Sequence, residues 1–95
     1  MLTLSKKAVS GTEELPGAEL TLTNTVTNEV VAQWTSDSTP KTIEMPADGT
    51  YRFTEVTAPD GYQKAESIDF TIEGGKVTGR WSDNTVIMYD APAPK

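Results

Sequence analysis

Tyr51-Arg52-Phe53-Thr54-Glu55-Val56-Thr57-Ala58-Pro59-Asp60-Gly61-Tyr62 is the stretch whose reading decides the fold. It begins with strand alternation: Tyr51, Phe53 and Glu55 share one face, Arg52 and Thr54 the other. The inward series therefore runs aromatic, aromatic, carboxylate. A carboxylate at the end of an apolar face is costly unless something pairs with it. Ala58-Pro59-Asp60-Gly61 then ends the strand, since proline lacks a ladder donor and Asp-Gly tolerates a tight turn. What Glu55 meets inside becomes the central question.

Outward from this stretch, short alternating segments lie between turn signals. From Leu2 to Val9, the residues Leu2, Leu4 and Lys6 share a face. If the leucines point inward, Lys6 does too. The bland reading is that Lys6 snorkels to water from the strand end. Lys7 takes its place if the register slips by one residue. Ser10 to Glu14 reads as a polar loop. After Leu15-Pro16-Gly17 comes a strand with Ala18, Leu20 and Leu22 inward. Glu29 to Thr35 is a strand with Val30, Ala32 and Trp34 inward. Trp34 is read as core rather than as the wall of a ligand groove, because aromatics dominate core burial.

Lys41 to Met45 is a short strand, and Pro46-Ala47-Asp48-Gly49 turns the chain into the Tyr51 segment. Beyond it, Ile68, Phe70 and Ile72 alternate, and Gly74-Gly75 marks a hairpin. Lys76 to Trp81 follows, with Trp81 expected on the surface. In the last strand, Thr85 to Asp90, Val86, Met88 and Asp90 share one face, and Ile87 and Tyr89 the other. Both faces are apolar, which predicts a strand that is central or covered on both sides. Asp90 closes its inward series as Lys6 and Glu55 close theirs. No helix is legible. About seven short strands between turns predict an all-β sandwich.

Composition narrows the function classes. The chain has 95 residues, the size of one domain with one modest core. A net charge of −6 with no basic patch argues against nucleic acid and anionic membranes. No apolar run is long enough to span a bilayer. Cysteine is absent, which removes disulfides, thiol catalysis and thiolate metal sites. A small domain without disulfides often needs another staple. Asp83-Asn84 beside Glu66 or Asp69 does not fit a calcium loop, so these read as solvated turn residues. No metal or other cofactor is implied. No signal peptide opens the chain, which reads as an excised module beginning at Met1. Residues 1–91 are expected to form the sandwich. Residues 92–95, within Ala91-Pro92-Ala93-Pro94-Lys95, are expected to form a proline-rich exit linker.

Tyr-x-Phe-x-Glu-x-x-Ala-Pro-x-Gly-Tyr at 51–62 resembles the glutamate-bearing segment of CnaB-type domains, the prealbumin-like modules of Gram-positive pilins and adhesins. Leu15-x-Gly17-Ala18-x-Leu20-x-Leu22 is similar to the segment that follows the lysine strand in that family. The resemblance covers essentially the whole chain, from Lys6 to Asp90. It implies a transthyretin-like, reverse-immunoglobulin Greek-key sandwich. It also implies a spontaneous isopeptide bond between Lys6 and Asp90, with Glu55 as its promoter. The family more often has asparagine at the electrophile position and releases ammonia; with Asp90 the leaving group is water.

On residue types alone, Lys6, Glu55 and Asp90 form an ordinary buried polar cluster. The resemblance turns them into a reaction. A dry pocket disfavours every charge, so a proton passes from lysine to a carboxylate. The neutral amine then attacks a protonated Asp90 while Glu55 moves protons. The functional expectation is a structural module of a cell-wall-associated extracellular adhesin or pilus. It would be monomeric, with neighbouring domains of the same protein as partners. The alternative is a module binding a host protein or glycan. A hydrolase using Glu55 and Asp90 is disfavoured, because Lys6 and a closed core leave no substrate cleft.

Overall fold

The computed structural model describes residues 1–94. Eight strands form: β1 Leu2–Ala8, β2 Glu19–Asn24, β3 Val30–Thr35, β4 Lys41–Ile43, β5 Gly49–Thr57, β6 Ile68–Glu73, β7 Lys76–Val77 and β8 Thr85–Asp90. They make two sheets, ordered β4-β1-β8 and β3-β2-β5-β6-β7. The chain passes from one sheet to the other after β1, β3, β4 and β7, which gives the Greek-key sandwich anticipated from the sequence. The two-residue β7 is the strand that takes the number past seven. It follows the Gly74-Gly75 turn, where φ values of 63° and 75° suit glycine.

Alternation decides the core. Leu2 and Leu4 from β1, and Val86 and Met88 from β8, line the inner face of the small sheet. Leu20, Leu22, Tyr51, Phe53, Phe70 and Ile72 line the other. Trp34 stacks on Phe53 with centroids 5.8 Å apart, and Tyr51 on Phe70 at 6.1 Å, both inside the range of favourable aromatic pairs. Trp34 is thus a core residue.

Three expectations need correction. Val30 is 55% exposed rather than inward. Leu22 pairs with Ala32 but Thr23 pairs with Val30, so Val31 is an extra residue and the bulge turns Val30 outward. β8 is neither central nor covered on both sides. Among the described residues it pairs only with β1 and stands at the sheet edge, leaving Tyr89 49% exposed. Single apolar side chains are commonly tolerated on surfaces. Trp81 is half-buried against the core rather than on the surface, with the Arg80 guanidinium 4.0 Å above its ring.

The pairing of β8 with β1 is parallel, Lys6 opposite Met88 and Ala8 opposite Asp90. The chain therefore enters β1 at one end of this pair and leaves β8 at the other. Past β8, Ala93 N–H donates to Gly61 C=O at 2.8 Å, and the Gln63 amide donates to Pro92 C=O at 3.0 Å. The first residues of the expected exit linker are thus laced to the turn that ends the Tyr51 segment.

Candidate functional site

Three strands from two sheets deliver three charged side chains to one point. Lys6 points inward because it continues the Leu2, Leu4 series of β1. Asp90 continues the Val86, Met88 series of β8, one diagonal step along the parallel pair. Glu55 continues the Tyr51, Phe53 series of β5 and faces them from the opposite sheet. A bulge lies directly beyond Glu55: Leu20 pairs with Glu55 and Glu19 with Thr57, so Val56 is the extra residue. Bulges beside functional side chains commonly serve to aim them.

The Lys6 ammonium contacts Asp90 Oδ1 and lies 3.3 Å from Glu55 Oε2. None of the three residues is more than 2% exposed. Buried this deeply, the two carboxyls present no face to a substrate, as hydrolysis between them would require. Lys7, the fallback for a slipped register, points away. Its Nζ donates to Thr12 C=O at 2.8 Å and pairs with Glu14 at 3.2 Å.

Glu55 Oε1 accepts the Ala65 N–H at 2.7 Å, which fixes one side of the carboxyl. Among the described residues, Glu55 Oε2 and Asp90 Oδ2 are buried and accept no hydrogen bond. Two carboxylates cannot donate to each other, whereas one proton held between them would supply the missing donor. Burial pushes the Glu55 carboxyl above its ordinary value of 4.5, and a hydrogen bond with Asp90 raises it further. The Ala65 N–H and the Lys6 charge oppose the rise without reversing it. With one shared proton the cluster is neutral overall: one ammonium, one carboxylate and one carboxylic acid. That is the charge state a dry core favours.

Sequence reasoning reads Ser10 to Glu14 only as a polar loop and misses Glu14. Its carboxylate accepts the Ser5 hydroxyl at 2.6 Å and the Lys6 N–H at 3.2 Å. The contacts run from a loop side chain to the hydroxyl of one strand residue and the backbone of the next, and they leave no periodic signal in the sequence.

The family model of the SpaA prealbumin-like fold domain matches residues 1–85, a stretch that holds Lys6 and Glu55 and stops before Asp90. Among solved structures, the chain is similar to the pilus-presented adhesin Cpa, with 36% identity over 80% of this chain and 17% of that one and a TM-score of 0.70. The Bacillus anthracis TIE protein is 28% identical over 96% of this chain and 17% of its own, with a TM-score of 0.69. The group B streptococcus pilus 2b backbone protein shares the fold, at 24% identity over 96% of this chain and 40% of its own and a TM-score of 0.72. The present chain thus spans about a sixth of the Cpa and TIE chains. No curated protein matches it.

Proposed function

The chain belongs to the SpaA prealbumin-like domain family, and on that premise we propose that it is a structural module of a Gram-positive surface adhesin or pilus, stapled by an amide between Lys6 and Asp90 that Glu55 promotes. The observation that carries this reading is a lysine and two carboxyls in contact against an apolar core cluster. The same arrangement without a covalent product is a poor source of stability, because desolvating the charges offsets most of their attraction. Condensation removes that cost by turning the Lys6–Asp90 ion pair into a neutral amide.

The steps balance within the triad. From the neutral cluster, the Lys6 ammonium passes a proton to the carboxylate, leaving an amine and two carboxylic acids. Lys6 Nζ attacks Asp90 Cγ and the C–N bond forms. Glu55 takes a proton from the nitrogen as its own acid proton goes to the departing Asp90 hydroxyl. The C–O bond breaks and one water leaves. Glu55 ends protonated, as it began the attack. Folding holds amine and carbonyl together, and such proximity can replace about 7–11 kcal/mol of barrier. Each molecule reacts once, so the protein is not an enzyme in the turnover sense.

A staple of this kind suits a domain that joins neighbours in series on an extracellular, cell-wall-bound fibre, with the segment after Ala93 as the exit. The test is intact mass. A purified chain lighter than its sequence by one water supports the reading, and peptide mapping should then find residue 6 joined to residue 90. A chain of full mass overturns it.

A further inference from the structure

β1 changes its neighbour halfway along. β4 pairs with Leu2, Thr3 and Leu4 and goes no further. The backbone of Lys6 faces the same edge as Leu4, where β4 has ended. The loop after β1 fills the gap. Lys6 N–H donates to Glu14 Oε1 at 3.2 Å, and Lys6 C=O accepts Leu15 N–H at 2.7 Å. The second Glu14 oxygen accepts the Ser5 hydroxyl at 2.6 Å and sits 3.2 Å from Lys7 Nζ. One carboxylate thus grips three consecutive residues with Lys6 in the middle. The Glu14 side chain is 8% exposed, so solvent screens these contacts little.

We propose that Glu14 is a positioning residue for the crosslink: it stands in for the missing strand and holds the Lys6 backbone where Nζ meets Asp90 and Glu55. The inference rests on the Lys6–Asp90 amide proposed above. Its physical basis is reach. Lysine carries its amine on a flexible four-carbon stem, so its aim depends on a fixed Cα. Two residues past Lys6 the strand ends at Ala8 and passes into an exposed turn at Val9 and Ser10. Strand ends fray readily, and a misplacement of about 1 Å can cost a reaction as much as 10²-fold in rate. β8 secures only the other edge of β1. Glu14 and Leu15 secure this one.

A role in anchoring the loop alone makes a different demand. The Lys7 ion pair would serve an anchor as well as the Lys6 contact does, and crosslinking speed would not depend on Glu14. The full-length chain is synthesised in a cell-free reaction, translation is stopped, and samples are quenched in denaturant over time. Intact mass gives the rate of water loss. Stabilities are compared in the Lys6→Met background, where no crosslink forms. Glu14→Gln keeps a neutral acceptor for the Lys6 N–H and should react within about threefold of the parent. Lys7→Ala should do the same. Glu14→Ala should react about ten- to a hundredfold more slowly, including at temperatures where its Lys6→Met counterpart is fully folded. A Glu14→Ala chain reacting at the parental rate overturns the proposal while leaving the amide standing. If Glu14→Ala does not fold, Glu14→Asp decides, since its shorter side chain keeps the charge and loses the reach: slow reaction supports positioning, and parental speed overturns it. A parent that never loses water removes the amide itself and this inference with it.

Discussion

Lys6 Nζ and Glu55 Oε2 face each other across the sandwich at 3.3 Å, each on a side chain sealed from solvent. The contact ties the two sheets at a point where the rest of the core is apolar. Asp90 joins from the strand beside Lys6, so the amine has one carboxyl from its own sheet and one from the opposite sheet. In the proposed reaction that asymmetry would separate the roles. The neighbour in the sheet would be the partner for the permanent bond, since it shares a ladder with Lys6. The carboxyl across the gap, anchored by Ala65 N–H, is placed to move protons.

Glu55→Gln should therefore separate folding from chemistry. The amide is close to the carboxyl in shape, so the sandwich should form. It holds no transferable acid proton, so water loss should slow by about 10²–10⁴-fold, the usual worth of a positioned acid–base group. Mass spectrometry of freshly folded protein measures this directly. Parental kinetics in Glu55→Gln would remove Glu55 from the reaction.

Most of this architecture is legible in the sequence because period-two alternation is strong. It points Lys6, Glu55 and Asp90 inward and picks out Leu20, Phe53, Phe70 and Met88 as core. What escapes has tertiary causes. Val30 turns outward through a bulge that the Glu29–Thr35 pattern does not encode. The edge position of β8 follows from sheet order, and the apolar pair Ile87 and Tyr89 suggests the opposite. Glu14 reaches the Lys6 backbone from a loop eight residues away, and the loop's sequence carries no strand alternation that would point to the contact.

The staple should dominate stability. Lys6 and Asp90 are 84 positions apart, so the proposed amide would close nearly the whole chain into a loop. Loop-closure entropy for that length is about 4–5 kcal/mol. Asp90→Ala should melt lower by roughly 20 °C or more for a domain of this size. Part of the loss would come from the unpaired Lys6. Calorimetry checks it, and a variant melting with the parent would argue against a covalent link.

The raised Glu55 pKa gives a signed pH dependence in the uncrosslinked protein. Lys6→Met removes the opposing charge and leaves burial and Asp90 to hold the carboxyl up. The folded state then binds more protons than the unfolded state between the ordinary value of 4.5 and the higher folded value. Stability must fall as pH rises through that window, since it rises only where the unfolded state holds more protons. Urea midpoints for Lys6→Met should drop from pH 4.5 upward. Adding Glu55→Gln should flatten that part of the curve. Parallel curves would show that Glu55 titrates normally.

Force should travel through the staple. The chain enters at the Leu2 end of β1 and leaves beyond Asp90, at the far end of a parallel pair. With the proposed amide in place, tension between the termini would run along β1 to Lys6, cross to Asp90 and exit, bypassing every residue in between. Single-molecule pulling should show no unfolding step for the parent and a full-domain step for Lys6→Met. A full step in the parent would refute the mechanical role.

The edge position of β8 allows the sharpest test. Among the described residues its only partner strand is β1, and its anchors Val86 and Met88 are completely or almost completely buried. The loop before it, from Gly79 to Asn84, carries left-handed residues at Gly79, Asp83 and Asn84 and offers a place to cut. If the fold supplies the reaction geometry, chain continuity there is dispensable. A peptide of residues 84–95 should add to the exposed edge of β1 in the remaining fragment, as peptides commonly extend sheets. Docking sets Asp90 beside Lys6 and Glu55, and an amide should join the pieces without enzyme or cofactor. Denaturing gel electrophoresis would show a band at the summed mass. Peptide carrying Asp90→Ala should bind yet separate on the gel, and Glu55→Gln in the larger fragment should give the same separable complex. Docking demonstrated by titration, with no covalent band at any time, would reduce Lys6, Glu55 and Asp90 to a buried polar cluster.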